Sequence, residues 1–148
     1  MKIILIIDPD RADATLSETL TNQGYQCLLA GDARTALAIL ESGRPIDLVV
    51  SETELPDMDG MDFLSRLHRT RPALPVIIVT AVCSLERYMQ SANLGVIEYL
   101  TKPLYLKEFN RIVRFTLNQP VTRGTGTGPD LSIPSGSCEG DQRAPKGC

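Results

Sequence analysis

The chain has 148 residues, of which 43% are hydrophobic and 22% are charged, and its formal net charge is −3. This length suits one domain with an apolar core, and the charge balance argues against nucleic-acid binding through a basic surface. The longest apolar run, 3–7, is far too short to cross a membrane, and the N-terminus lacks a secretory signal pattern. We therefore expect a cytoplasmic protein without membrane insertion and without direct contact to nucleic acid.

Short apolar runs rich in β-branched residues alternate with segments of helical periodicity over the first 118 residues. Asp32 is placed to cap the second helix, and Gly24 and Gly95 are typical stop signals. Taken in chain order, the pattern predicts strand 2–7, helix 13–23, strand 25–30, helix 32–42, strand 47–51, helix 59–70, strand 75–80, helix 84–94, strand 96–100 and helix 104–118.

This succession of five β/α units predicts a parallel sheet with helices on both faces, because each crossover places a helix against the sheet. The strand order 2-1-3-4-5 of a flavodoxin-like, three-layer α/β sandwich is the natural arrangement for five such units. In sheets of this kind the functional site lies at the carboxyl ends of the strands.

The composition changes at residue 119. Residues 119–148 contain six of the eleven glycines and four of the ten prolines, and apolar periodicity is lost. Such a segment buries too little apolar surface to offset the entropy of ordering, so we expect a disordered tail. The predicted organisation is therefore a single domain over 1–118, followed by a tail that is too short and too polar to form a further domain.

The four cysteines show no CxxC spacing, so a zinc site is not indicated. Cys27 and Cys83 lie in apolar surroundings, where small buried side chains are expected. Cys138 and Cys148 lie in the predicted tail. The sequence leaves open whether these two form a disulfide.

Polar residues follow or end four of the predicted strands. They are Asp8 and Asp10 after the first strand, Glu52 and Glu54 after the third, Thr80 at the end of the fourth, and Lys102 after the fifth. Clustered carboxylates suit a hard cation such as Mg²⁺, while a lysine and a hydroxyl can neutralise or bind phosphoryl oxygens. A central carboxylate could also attack phosphorus. These residue types are those of phosphoryl transfer by positioning and charge neutralisation.

Four segments, 3–10, 47–60, 76–81 and 95–103, resemble the receiver domain of bacterial response regulators, the CheY-like module of two-component systems. The resemblance covers residues 1–118, and the segments occur in the family's order at the ends of the expected strands. It implies a receiver module in phosphorelay signal transduction, which we expect to stand alone because the segment after residue 118 is too short and too polar for an output domain. It also implies no enzyme activity beyond autocatalytic phosphoryl acceptance.

The resemblance assigns roles to individual positions. Glu52 occupies the phosphoacceptor position, where the family has an aspartate. Thr80 matches the switch hydroxyl and Tyr99 the switch aromatic residue. Lys102, followed by Pro103 in a cis peptide bond, matches the lysine that contacts the phosphoryl group.

The implied Mg²⁺ ligands are Asp8, Asp10, Glu52 and the backbone carbonyl of Glu54. The family shows two adjacent acids after the first strand, but here Pro9 replaces the second acid. Asp10 is the candidate for the missing carboxylate, although the register of this pair stays open. In either register we expect weak Mg²⁺ binding.

Glutamate at position 52 carries the second departure from the family pattern. Its extra methylene moves the carboxylate by about 1.5 Å, the length of a C–C bond. A misplacement of about 1 Å can cost on the order of 10²-fold in rate, so attack on phosphorus should suffer. The longer carboxylate is instead expected to approach Lys102 and Thr80.

The leading hypothesis is a pseudo-receiver that binds partners while Glu52 supplies a fixed negative charge. The alternative is a working receiver that a histidine kinase still phosphorylates in a Mg²⁺-dependent way, on Glu52 or on Ser51 or Thr53. A phosphatase of the hydrolase type is disfavoured, because position 52 offers no aspartate nucleophile. Expected partners are a sensor histidine kinase, another signalling protein, or a second copy of the chain. The expected docking face comprises the fourth helix, fifth strand and fifth helix, around Tyr99 and Tyr105.

Overall fold

The computed structural model describes residues 1–9, 14–82 and 84–118. The predictions for Asp10, Cys83 and the tail 119–148, which includes Cys138 and Cys148, lie outside the described residues. The elements follow the predicted alternation. In chain order they are β1 Ile3–Ile7, α1 Ala14–Asn22, β2 Gln26–Ala30, α2 Ala33–Glu41, β3 Leu48–Ser51, α3 Gly60–Thr70, β4 Val76–Thr80, α4 Leu85–Ser91, a 3₁₀ turn Ala92–Leu94, β5 Val96–Thr101 and α5 Leu106–Leu117.

The strands form one parallel sheet in the order β2-β1-β3-β4-β5. This order confirms the predicted flavodoxin-like architecture. Ile7 pairs with Ser51 at the carboxyl ends of β1 and β3, and the N–H of Glu52 donates to the Ile7 carbonyl at 3.1 Å. Asp8 and Glu52 therefore leave the sheet side by side.

Two apolar layers cover the sheet, because alternate residues of each buried strand point to opposite faces. One layer packs side chains of α2 and α3 against the sheet, and the other packs α1 and α5. Phe63 of α3 and Phe109 of α5 are each no more than 1% exposed and are the largest fully buried side chains of their layers. This double cover explains why β1, β3 and β4 read as continuous apolar runs.

The ends of α4 and α5 differ from the predicted bounds. α4 ends at Ser91 and tightens into the 3₁₀ turn Ala92–Leu94, which Gly95 terminates in the left-handed conformation at φ 82°. α5 begins at Leu106, because Tyr105 is still extended and offers no side-chain cap. The prediction that the helical segment ends at Gly95 is confirmed. The change from α-helix to the 3₁₀ turn before Gly95 was not indicated by the apolar periodicity.

The edge strand β5 contains a register shift. Val96 pairs with Val76 of β4, but Glu98 pairs with Ile77, so Ile97 is one extra residue on the β5 side. Its side chain is 46% exposed. This bulge resets the alternation, so that Tyr99 faces the layer formed with α2 and α3.

Cys27 on β2 is partly buried, which is less than the full burial expected from its apolar neighbours. Its thiol lies 3.8 Å from the carbonyl of Ser17 and from the hydroxyl of Thr21. Burial raises the pKa of the Cys27 thiol, and the Thr21 hydroxyl lowers it by less. None of the helices in the described ranges is long and apolar enough to cross a membrane.

Candidate functional site

A small cavity opens at the carboxyl edge of the sheet. Asp8, Glu52 and Lys102 all line it, together with the buried hydroxyl residue Ser51 and aliphatic side chains of the strands and α1. The parallel sheet produces this convergence, since β1, β3 and β5 end at the same edge. The structure therefore brings together three of the residues that the sequence marked at strand ends.

The carboxylate of Glu52 is engaged through both of its oxygens. Oε1 lies 3.6 Å from Nζ of Lys102, with side chains that are 11% and 25% exposed respectively. Oε2 accepts the backbone N–H of Thr53 at 2.9 Å and lies 3.4 Å from both the Thr53 hydroxyl and the Glu54 N–H. The negative charge of Glu52 thus lies between the Lys102 ammonium group and the backbone N–H groups of Thr53 and Glu54, which begin the loop after β3.

Thr80 does not contact Glu52 directly, because the side chain of Thr53 lies between them. Its hydroxyl lies 2.9 Å from the hydroxyl of Thr53, and it accepts the N–H of Val82 at 3.1 Å. Thr80 and Thr53 are 0% and 1% exposed. Within the described residues the Thr80 hydroxyl therefore meets Thr53 and Val82, and the expected direct approach of Glu52 to Thr80 is replaced by a contact through Thr53.

Thr53 is the residue whose position in this site the sequence did not indicate. The sequence indicates Thr53 only as an alternative phosphoryl acceptor. The available signal was a β-branched hydroxyl residue between two acids, directly after a buried strand. That signal does not tell which way the side chain turns, so the link to Thr80 required the structure.

Lys102 is fixed through its backbone as well as its ammonium group. Its N–H donates to the Thr80 carbonyl at 2.8 Å, which ties the end of β5 to the end of β4. The Lys102–Pro103 peptide bond is cis, as the resemblance implied. The hydrogen bond to Thr80 holds the backbone of Lys102 at the carboxyl edge of the sheet, where its ammonium group meets Glu52.

Tyr99 points inward from β5 and is 8% exposed. Its ring meets the ring of Tyr88 on α4 edge to face, with centroids 5.5 Å apart and an interplanar angle of 88°. Its hydroxyl has no hydrogen bond of good geometry within the described residues. Burial raises the pKa of Tyr99, and the Glu52 and Glu54 carboxylates raise it further, although the Arg87 guanidinium and the nearby Ser84 backbone lower it.

A family model described as the response regulator receiver domain matches residues 3–114. The chain belongs to the response regulator receiver domain family. Such domains are signalling modules of two-component systems, and the fold agrees with this membership. The receiver domain found here accounts for nearly all of the described residues.

Relatives and solved structures agree with that assignment. The chain is 32% identical over 143 residues to the DNA-binding transcriptional regulator NtrC of Azospirillum brasilense, covering 96% of this chain and 28% of that protein. It is 35% identical over 131 residues to the response regulator MprA of Mycolicibacterium vanbaalenii, covering 88% of this chain and 56% of that protein. The chain thus spans about a quarter to about half of these relatives. A solved CheY-like receiver domain protein of Methanospirillum hungatei JF-1 superimposes with a TM-score of 0.76 and 32% identity, covering 80% and 94% of the two chains.

An ion pair connects α4 of the receiver domain to the loop after β3. Arg87 Nη2 lies 3.0 Å from Asp59 Oδ1, and Asp59 Oδ2 also accepts the N–H groups of Met61 and Asp62 at the start of α3. Partial burial acts to raise the pKa of Asp59, but Arg87 and these N–H groups outweigh it and hold the pKa below its usual range. Asp59 is therefore both a helix cap and an ion-pair partner.

Two further contacts fix the same loop. A Cβ added at Gly60 would collide with the backbone carbonyl of Thr53, so only glycine permits this close approach. The carboxylate of Asp57 accepts the N–H groups of Ala33 and Arg34 at 3.0 Å each, at the start of α2. Desolvation acts to raise the pKa of Asp57, but these N–H groups hold it below its usual range. The loop that carries Glu52 is thus attached to both α2 and α3.

Receiver domains typically bind Mg²⁺ at the phosphorylation site. Mg²⁺ requires oxygen ligands in near-octahedral geometry. Asp8 and Glu52 border one cavity, but the Glu52 oxygens already face Lys102 and Thr53. In the described ranges no group of three or more acidic, histidine or cysteine residues is placed to hold a metal ion. The fit to Mg²⁺ within these ranges is therefore incomplete.

Proposed function

We propose that this receiver domain is a pseudo-receiver, a module that signals by protein–protein interaction while Glu52 occupies the phosphoacceptor position. The supporting observation is the 3.6 Å distance between Glu52 Oε1 and Lys102 Nζ. A lysine at this place would neutralise a phosphoryl oxygen, and here a carboxylate supplies a permanent negative charge instead. The sensitivity of phosphoryl transfer to misplacement of the attacking oxygen also favours this function.

The other residues of the proposed site take the roles implied by the family. Thr80 is the switch hydroxyl, Lys102 the phosphate-facing cation, and Tyr99 the switch ring in its inward position. The inward Tyr99 is supported by its burial and by the Tyr88 contact. The domain is not an enzyme in this proposal beyond any phosphoryl acceptance of its own.

We expect Mg²⁺ to bind weakly at this site. Asp8 and Glu52 are the carboxylate ligands in this proposal, with Asp10 and the Glu54 carbonyl as the further ligands implied by the resemblance. An ion that recruited Glu52 would have to compete with Lys102 and the Thr53 N–H, which hold its two oxygens. That competition is the reason for the low affinity.

The proposed partner is a signalling protein, such as a sensor histidine kinase, that docks on the face formed by α4, β5 and the start of α5. This face carries large exposed apolar side chains: Leu85 at 62%, Met89 at 60%, Ile97 at 46% and Tyr105 at 75% exposed. Apolar side chains clustered on a surface are typical of a protein-binding site. A second copy of the chain is the other expected occupant of this face, and sedimentation would reveal whether two copies associate. The location expected from the sequence is the cytoplasm.

A second candidate is a working receiver that a histidine kinase still phosphorylates in a Mg²⁺-dependent reaction. It is favoured by the shared cavity of Asp8, Glu52 and Lys102. Glu52 is its better acceptor, because Ser51 and Thr53 are each only 1% exposed and a phosphodonor would reach them only after the loop opens.

The deciding experiment measures the intact mass of the wild type and of Glu52→Asp after incubation with acetyl phosphate and Mg²⁺. We expect only Glu52→Asp to gain one phosphoryl group, since its shorter side chain restores the family's acceptor. The matched control is Glu54→Asp, the same change at the exposed acid two residues away, which should gain none.

Phosphorylation of the wild type would overturn the pseudo-receiver and support the second candidate. Failure of all three proteins to react would mean that restoring the acceptor is insufficient. The domain would then be a binding scaffold whose acidic pocket no longer supports the reaction.

A further inference from the structure

We propose that Thr53 is a positioning residue that couples the charge of Glu52 to the hydroxyl of Thr80. Its side chain lies between the two, 3.4 Å from Glu52 Oε2 and 2.9 Å from Thr80 Oγ1. The inference rests on the proposed function only in treating Thr80 as the switch hydroxyl. The contacts themselves involve no phosphoryl group and no metal.

The carboxylate reaches Thr53 at two points. Glu52 Oε2 accepts the Thr53 N–H at 2.9 Å, and the same oxygen faces the Thr53 hydroxyl. Because Oε1 is directed at Lys102, the oxygen on the Thr53 side is the one left to influence the interior. A hydroxyl that donates to this oxygen can accept a hydrogen bond from Thr80 with its lone pair.

The backbone of Thr53 cannot easily move away from this contact. Gly60 packs directly against the Thr53 carbonyl, and the N–H of the preceding residue, Glu52, is bonded to Ile7. Thr53 is 1% exposed, so water does not compete for its hydroxyl. A buried hydroxyl held in this way favours one arrangement of its partners, since an unmade hydrogen bond there is costly.

The chain of contacts continues to the loop before α4. The Thr80 hydroxyl accepts the N–H of Val82 at 3.1 Å and lies 3.3 Å from the Val82 carbonyl. The side chain of Val82 is 49% exposed. The charge of Glu52 therefore influences, through two buried hydroxyls, a residue at the margin of the proposed docking face.

The test uses the backbone amide signal of Val82 in NMR spectra of the full chain. Glu52→Gln is compared with its parent in three backgrounds: wild type, Thr53→Val and Thr53→Ser. We expect Glu52→Gln to move the Val82 signal in the wild type and in Thr53→Ser. In Thr53→Val, where a methyl group replaces the hydroxyl, the displacement should be smaller by about threefold or more, as expected when the intermediary of a coupled pair is removed.

Equal displacement in all three backgrounds would overturn the proposal, because the coupling would then bypass the hydroxyl. Loss of the displacement in Thr53→Ser as well would also overturn it, because the methyl group rather than the hydroxyl would be responsible. If Thr53→Val does not fold, Thr53→Ala takes its place with the same expectation. The experiment uses no phosphodonor, so its failure is distinguishable from failure of the pseudo-receiver in the mass measurement.

Discussion

Lys102 Nζ lies 3.6 Å from Glu52 Oε1, so the lysine that follows β5 forms an ion pair with a carboxylate of the same protein. Both side chains are largely buried, with 25% and 11% exposure. A pair in such a position is screened less by salt than one on the surface, and removal of either side chain takes this ionic contact away from the other.

Glu52→Gln should lower the free energy of unfolding by about 1 kcal/mol, because the amide keeps the shape of the side chain but gives up the ionic contact with Lys102. Urea titration measures the change. Glu54→Gln serves as the control, since Glu54 is exposed, and it should change stability by less than about 0.5 kcal/mol. If the two variants were equally stable, the ion pair with Lys102 would contribute nothing.

Tyr99→Phe should remove part of the loss of stability at alkaline pH. Burial raises the pKa of Tyr99 above its ordinary value of 10.0, so the unfolded chain ionises first as pH rises. The Tyr99 contribution is thus fully present below pH 10 and is lost as the pH rises through the folded-state pKa. Urea unfolding from about pH 8 to about pH 11 measures the slope, with the exposed Tyr105 changed to Phe as the control. Identical slopes for the two variants would refute this role of burial.

Asp59→Ala should destabilise the domain by about 1–2 kcal/mol, because it removes a helix cap together with the Arg87 partner. Asp59→Asn keeps an oxygen that can cap the helix and should lose less stability than Asp59→Ala. Arg87→Met removes only the ion pair and should also lose less. The pKa of Asp59 is lowered from 3.8, so its contribution is present above that pH and is lost as the pH falls through the folded-state pKa. Acid unfolding of the three variants tests the order, which an equal loss for Asn and Ala would contradict.

Gly60→Ala should destabilise the domain by about 1–3 kcal/mol, because the new methyl group would meet the backbone of Thr53. The comparison is Gly24→Ala, where space is open and only the positive φ of 98° is strained, at a cost of about 1 kcal/mol. The two variants separate collision from backbone strain. Thermal or urea unfolding that ranked Gly24→Ala as the more damaging would show that the loop yields at Gly60.

The fold could be predicted because its signals are local or periodic. The alternation of apolar runs and amphipathic segments required only residue order, and Gly95 marked its turn correctly. The end of α4 could not be predicted, because the change from α-helix to 3₁₀ geometry depends on packing rather than on composition.

The candidate site was predictable as a set of positions but not as a set of contacts. Parallel topology alone brings Asp8, Glu52 and Lys102 to one edge. Which oxygen of Glu52 meets which partner depends on rotamers, and the placement of Thr53 between Glu52 and Thr80 depends on how the loop turns after β3. Sequence periodicity contains no information on either.

The bulge at Ile97 limits how another chain can attach to β5. An edge strand offers unpaired N–H and C=O groups to which a foreign strand can add, and a bulge twists and interrupts that row. Strand addition at β5 is therefore disfavoured, and so is the edge-to-edge aggregation that begins in the same way. A binding protein is left with side-chain contacts, for which a helix or a loop is suited better than an extended peptide.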